Sequence, residues 1–419
     1  MLSRAALYLT CGSAIAILIS IAASQILLAL ALVALLLSGT RLRFPPIKLP
    51  LAVFIGWTAL AVLLSADPRS GTPQIRKLIL FVVLLLVLST FRDLPQVRAI
   101  VLLWGSVASV SALISFYQFW QKYRHWQVES NGKSFYDFYV SERITGFTSH
   151  WMTFGGEEMT VVLMLLAFVF FSRERKWKPL GWAAVAILAV SLVLGMTRSI
   201  FLLGLPLGVC YLVWFWRRWL LLLAPVALGI AMLIGPLRER IFSAFQPHGD
   251  TDSNMHRVIL RRTGWEMIKA HPLFGVGPEQ MKPPPGKPTS PLFESYIPAD
   301  IDKKHLPEGW YGHLHNIYLQ YAMERGIPGL LALLWMIGKM FRDFVLGLRR
   351  RDLPSEARFV LHGAIAVIIG ILAEGFFEYN LGDSEVLTMF LNVVAFGYVA
   401  LSAIATKEPM PMETKEIAA

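Results

Sequence analysis

The stretch His313-Leu314-His315-Asn316-Ile317-Tyr318-Leu319-Gln320-Tyr321-Ala322-Met323-Glu324-Arg325-Gly326-Ile327-Pro328-Gly329 passes from polar sequence through a turn into the apolar run 330–337. Ile317, Tyr318, Tyr321 and Ala322 recur at helical spacing, which predicts a short helix starting near His315. Gly326 ends it, and Pro328 opens the next helix. A histidine–asparagine pair is thereby placed on a helix start where a long polar segment returns to apolar sequence.

Working outward, the 419 residues are 55% hydrophobic and 16% charged, with a mean hydropathy of +0.55. A soluble chain of this size carries more charge and breaks its apolar runs more often. Windows long enough to span a bilayer, or nearly so, fall at about 5–21, 23–39, 49–65, 77–91, 99–120, 154–171, 179–197, 199–216, 219–235, 327–341, 359–377 and 386–405. The expectation is an all-α polytopic membrane protein of about twelve transmembrane helices. Arg4 followed by an apolar run imitates a signal peptide, but another span follows at once without a cleavage site. Cys11 and Cys210 both lie in apolar runs, so neither a disulfide framework nor a cysteine metal site is expected.

Lys and Arg set the orientation. With both termini cytoplasmic, the inner connections collect Arg41, Arg43, Lys48, Arg92, Arg98, Arg173, Arg175, Lys176, Lys178, Arg217, Arg218, Arg342, Arg349, Arg350, Arg351 and Arg358, twice as many as the short outer ones. The net charge of +11 is thus a matter of topology and does not point to nucleic acid. The expected organisation is a membrane bundle over 1–235 (about nine spans), a periplasmic loop with short helices over 236–326, a second bundle over 327–405 (about three spans) and a cytoplasmic tail over 406–419.

Two outer connections are long. The first, 121–153, is rich in aromatics, among them Tyr123, Trp126, Phe135, Tyr136, Phe138, Tyr139, Phe147 and Trp151. Such residues suit a membrane interface or a sugar-stacking surface. The second holds an expected helix over 255–270, with Asp252, Ser253 and Asn254 as capping candidates. A proline-rich section over 283–291 then reads as extended and poorly ordered.

The outer rim collects the residues that can do chemistry. Arg198, in Gly195-Met-Thr-Arg-Ser199, either snorkels to the interface or grips a lipid-borne anion. Arg257, Arg261 and Arg262 lie on the 255–270 helix, where Arg257 and Arg261 share a face. They either face solvent and headgroups or clamp a diphosphate bidentately. Arg143 in the aromatic loop has a salt bridge to Glu142 or another carboxylate as its plain alternative. His313 and His315 have only Asp302 and Glu308 as nearby carboxylates and no cysteine, so no metal site is expected. Imidazole titrates near neutral pH, which suits His315 to take a hydroxyl proton as general base. Glu374, Glu378, Asn380, Asp383 and Glu385 cluster at the outer end of the eleventh span, with Glu374 and Glu378 read as one helical turn apart. They either partner the arginines or orient a sugar hydroxyl. Polar groups at the rim rather than at span centres describe a surface reaction site and not a solute pathway.

His315-Asn316, nine residues, then Gly326-x-x-Gly329 resembles the signature of the O-antigen ligases of Gram-negative bacteria. Trp265 followed by His271-Pro-Leu-Phe-Gly-Val-Gly277, Thr197-Arg198-Ser199 and Arg143-Ile-Thr-Gly146 are similar to the wider O-antigen ligase and polymerase superfamily. The resemblance implies an integral-membrane, GT-C-like glycosyltransferase in the bacterial inner membrane with a periplasmic active site. Its implied reaction is inverting transfer of O-antigen polysaccharide from undecaprenyl diphosphate to a hydroxyl of lipid A–core oligosaccharide, with no metal or other cofactor. By motif, the essential groups map to His315 as the catalytic residue and to Arg198 and Arg261 on the diphosphate. Arg143 and Arg257 stand beside them, with Asn316, Arg262 and Glu378 in support. The doubling Arg261-Arg262 leaves open which of the two is the helix arginine. The implied partners are the undecaprenyl-linked donor, lipid A–core and membrane lipids. An O-antigen or exopolysaccharide polymerase is the nearest alternative, and a lipid-linked-glycan transporter a more distant one.

Overall fold

The computed structural model describes residues 1–130, 132–245, 254–307, 309–350 and 352–405, and these contain helices and no strand. Asp252 and Ser253, Glu308, Arg351 and the 406–419 tail lie outside the described residues.

The helices are α1 (Leu2–Ala16), α2 (Ile21–Leu37), α3 (Lys48–Leu63), α4 (Thr72–Lys77), α5 (Val82–Thr90), α6 (Leu94–Glu129), α7 (Phe135–Ser141), α8 (Trp151–Phe171), α9 (Lys178–Leu194), α10 (Leu205–Arg217), α11 (Ala224–Leu233) and α12 (Gly235–Phe242). They continue with α13 (Asn254–Ala270), α14 (Pro291–Tyr296), α15 (Ile317–Leu348), α16 (Ser355–Glu374) and α17 (Ser384–Ala405). Among the described residues six helical runs are long and apolar enough to cross a membrane: Thr72–Thr90, Leu94–Glu129, Trp151–Phe171, Ile200–Leu233, Ser355–Glu374 and Ser384–Ala405. This is a helical membrane protein.

The expected twelve spans are not reproduced as twelve helices of crossing length. The apolar helices α2, α3 and α9 have 16 or 17 residues, roughly 25 Å against a hydrocarbon core of about 30 Å. The run at 219–235 is not one continuous α-helix, and Arg217, between it and the preceding window, leaves helical geometry at φ −151°, ψ 82°. A short 3-10 turn and the ten-residue α11 follow. α6 runs nine residues past the expected end of its window, and its rings at Tyr123 and Trp126 meet Phe135 from the next segment. The aromatics of 121–153 thus pack largely on one another, with Tyr136 and Tyr139 buried.

α8, α16 and α17 form the buried centre of the bundle. The polar segment before α15 has a small core of its own, in which Ile259, Leu260 and Met267 of α13 meet Phe293, Tyr311 and Leu314. α15 holds the sequence break as expected. Asn316 caps it, accepting from the Leu319 amide at 2.9 Å. Gly326 interrupts it at φ 72° and ψ 172°, a conformation that favours glycine. A β-carbon at Gly326 would stand 1.9 Å from the Leu273 carbonyl oxygen. That contact explains why the His271–Gly277 and Gly326–Gly329 motifs occur together: the two turns dock. Ile327 N donates to Pro272 O at 2.8 Å and Val276 N to Met323 O at 2.8 Å. Phe274 stacks on Trp57 of α3, whose indole N–H donates to Arg325 O at 2.8 Å.

Candidate active site

A cavity of about 710 Å³ opens where the start of α8, the 197–199 turn, α12, the start of α13, the segment before α15 and the 374–386 segment meet. Its chemistry is divided. Arginines line one part, carboxylates another, and His315 with Glu378 belongs to both neighbourhoods.

The arginine part is assembled by a backbone turn. Met196 takes a left-handed φ of 47°, and its carbonyl accepts from Arg143 Nη1 at 3.3 Å and from Arg240 Nε at 2.8 Å. Arg198 follows two residues on and donates to Ser243 O and Asn254 Oδ1, both at 2.7 Å. Asn254, expected as a helix cap, therefore spends its side chain here and also donates to Ser243 O at 2.9 Å. Arg143 is buried with its guanidinium 4.6 Å from the Trp151 ring, and its Nε has no hydrogen-bond partner. Of the two readings of Arg143, the salt bridge to Glu142 is not formed, because Glu142 is exposed and pairs with Lys122. Burial, and then the guanidiniums of Arg240 and Arg257, lower the pKa of Arg143. Such a cluster of like charges is relieved by an anion.

Arg257 reaches Glu378 Oε2 at 3.7 Å. Both Glu378 oxygens lie 3.2 Å from His315 Nδ1. Burial alone would raise the Glu378 carboxyl, but His315, His313 and Arg257 pull it below the usual carboxylate range. The backbone of His315 is left-handed at φ 47°, and its amide donates to His313 Nδ1 at 3.3 Å. Asn316 Nδ2 donates to Phe376 O at 2.9 Å and Ile317 N to Gly375 O at 2.8 Å, tying this helix start to the end of α16. The imidazole is thus oriented at one nitrogen by a carboxylate, leaving the other for a substrate proton.

Residues 183–334 match the family model described as O-antigen ligase. The likeness covers that segment, less than half of the chain. No curated protein matches the chain. The matched segment contributes Arg198, Arg240, Arg257, His313 and His315, whereas Arg143, Glu374, Glu378 and Asp383 come from outside it.

Arg261, read as sharing a helix face with Arg257 and as either solvent-facing or diphosphate-binding, is exposed and does not line the cavity; Arg262 is also exposed and pairs with Asp300 at 2.8 Å. The buried stripe of α13 runs through His256, Ile259, Leu260, Thr263 and Met267, and Arg261 and Arg262 lie off that stripe. Glu378 is not one helical turn from Glu374, because α16 ends at Glu374 and Glu378 follows in the next turn; both nevertheless line the cavity. Sequence reading missed Arg240. Its signal was present, since Arg238-Glu239-Arg240 follows an apolar run, but nothing in that pattern separates the buried Arg240 from the exposed Arg238.

His313, His315 and Glu378 place ligand atoms within 4.8 Å of one another, the only group of metal-capable side chains found among the described residues. Their chemistry fits an ion poorly. The Glu378 carboxylate is already directed at His315 and Arg257, and a divalent cation there would sit beside that guanidinium.

Proposed function

We propose that the chain is an inverting, metal-independent glycosyltransferase moving O-antigen polysaccharide from undecaprenyl diphosphate to a hydroxyl of lipid A–core oligosaccharide. The observation that carries this reading is one cavity shared by Arg143, Arg198, Arg240 and Arg257 with the His315–Glu378 pair. Departure of diphosphate from an anomeric carbon needs its developing charge neutralised, and fixed guanidiniums supply that without an ion. His315 takes the proton of the acceptor hydroxyl as its oxygen attacks the anomeric carbon and the bond to diphosphate breaks, while Glu378 holds the imidazole and balances its charge. Arg257 takes the place that the motif gave to Arg261.

The reading places the protein in the bacterial inner membrane with about twelve spans in a GT-C-like arrangement. Both termini are then cytoplasmic, and the cavity faces the periplasm. The test is transfer by the purified full chain from undecaprenyl-linked polysaccharide to lipid A–core, beside a gene deletion. Cells lacking the protein should lose polymer from lipid A–core while polymer accumulates on the carrier lipid. Loss of polymer length with the first unit still attached would instead identify a polymerase.

A further inference from the structure

We propose that the end of the cavity bounded by Lys77, Glu374, Asp383 and Glu385 is the acceptor subsite, where Glu374 accepts a hydrogen bond from a hydroxyl of the acceptor sugar. This deepens the transferase reading and rests on it. The observation is a carboxylate oxygen with nothing to bind. Glu374 is 1% exposed and lines the cavity. Its Oε2 accepts from Asn380 Nδ2 at 3.0 Å, whereas its Oε1 has no hydrogen-bond partner. Buried polar atoms are nearly always satisfied, so an unpartnered oxygen on a side chain that lines the cavity calls for a donor.

The identity of that donor follows from what surrounds it. Glu374 has Glu378 and Asp383 as its charged neighbours, so a diphosphate is repelled here and is drawn to the arginines instead. A cation is no better served, because the carboxylates of this end do not converge as ligands; the metal-capable group among the described residues is elsewhere. A neutral polyol satisfies separated acceptors one hydroxyl at a time. The remaining wall is already fixed for that task. Asp383 caps α17 through the Glu385 amide at 3.0 Å and accepts from Thr153. Lys77 donates to Gly382 O and retains further N–H donors for sugar oxygens. Trp310, about half exposed on the cavity lining, offers a flat ring face beside His313 at 5.3 Å. Glu378, which holds His315, is also an electrostatic neighbour of Glu374, which sets the proposed subsite beside the proposed base.

The test uses the full chain in detergent, titrated with lipid-free core oligosaccharide and separately with undecaprenyl diphosphate. Glu374→Gln keeps the shape but turns part of a cavity-facing acceptor into a donor. It should weaken oligosaccharide binding about tenfold, the loss of one buried hydrogen bond, and leave undecaprenyl diphosphate binding and thermal unfolding unchanged. In transfer assays the acceptor KM should rise with donor KM constant. Lys77→Met and Glu385→Gln, on other helices, should show the same split and guard against a misfolded first variant. Unchanged oligosaccharide affinity in all three, equal losses for both ligands, or no binding to the wild type would overturn the subsite. If the wild type binds the oligosaccharide through Glu374 yet performs no transfer, the subsite stands and the transferase reading fails. If the wild type transfers and Glu374→Gln keeps its acceptor KM, the reverse holds.

Discussion

At the residue scale, chemistry is divided between one imidazole and a set of guanidiniums. His315→Ala should leave folding and donor binding intact and reduce transfer on the order of a hundred- to ten-thousand-fold, the usual cost of removing a general base. Retention of more than a few per cent of turnover would move the base elsewhere. The arginines give a sharper contrast. Arg257→Lys should reduce turnover about a hundredfold, since a point charge cannot reproduce a planar fork at a developing diphosphate charge. Arg261→Lys, exposed and off the cavity, should behave as wild type; equal damage from both would restore the motif assignment. Two further histidines set a pH dependence of stability. Burial, then the nearby His315, pushes His313 down to about 3, and the same causes bring His256 to about 4. Both are therefore neutral in the folded protein at neutral pH. The unfolded chain binds their protons first, so stability is lost as pH falls below the ordinary histidine value of about 6.5. The slope reaches about 1.4 kcal/mol per pH unit for each histidine. Thermal unfolding between pH 7 and 5 should show this slope in the wild type and a shallower one in His256→Gln.

At the element scale, the imidazole of His315, the proposed base, is placed by a helix start whose far end is locked by two docked turns. Gly326→Ala adds a β-carbon 1.9 Å from Leu273 O at a left-handed φ. The backbone conformation alone costs about 1–2 kcal/mol, and the clash separates the turns. The expected result is a lower melting temperature together with loss of transfer; a variant that melts like the wild type would show that the docking carries no strain. This part of the architecture was legible in the sequence because Asn316, Gly326 and Pro328 are local signals with local causes. What was not legible depends on distant segments. Arg261 and Arg257 look equivalent at i, i+4 spacing, and only packing of α13 on Phe293, Tyr311 and Leu314 shows which one meets the cavity. Arg240 became part of the site through Tyr136, whose hydroxyl accepts from Arg240 Nη1 at 3.0 Å across a sequence separation of 104 residues. Spacing carries no trace of such a contact. Hydropathy did mark the break at Arg217, which falls between the windows 199–216 and 219–235, but it did not show that the second window divides into a 3-10 turn and the ten-residue α11.

At the scale of the whole molecule, the two ends of the central helices differ in kind. α8 and α16 have 21 and 20 residues, about 30 Å each and close to the thickness of a hydrocarbon core. α8 starts at the cavity with Trp151 and Thr153, and α16 ends there with Glu374. Their opposite ends meet in a polar cluster, where Arg98 pairs with Glu356 at 3.2 Å and Ser172 donates to Glu356 at 2.6 Å. The basic residues Arg173, Arg175, Lys176, Arg349, Arg350 and Arg358 follow the same chain ends, so the lysine and arginine excess gathers on the side away from the cavity. The positive-inside rule therefore predicts that side to be cytoplasmic and the cavity periplasmic, as the proposed transfer requires. Single cysteines at the exposed Lys287 and at the exposed Lys176 and Arg350, in a Cys11→Ala, Cys210→Ala background, test this directly. An impermeant thiol reagent added to intact inner-membrane-accessible cells should label Lys287→Cys, whereas Lys176→Cys and Arg350→Cys should react only after the membrane is opened. The opposite pattern would turn the arginines and His315 toward the cytoplasm, where undecaprenyl-linked polymer on the outer leaflet could not reach them, and the transferase reading would fall with the topology.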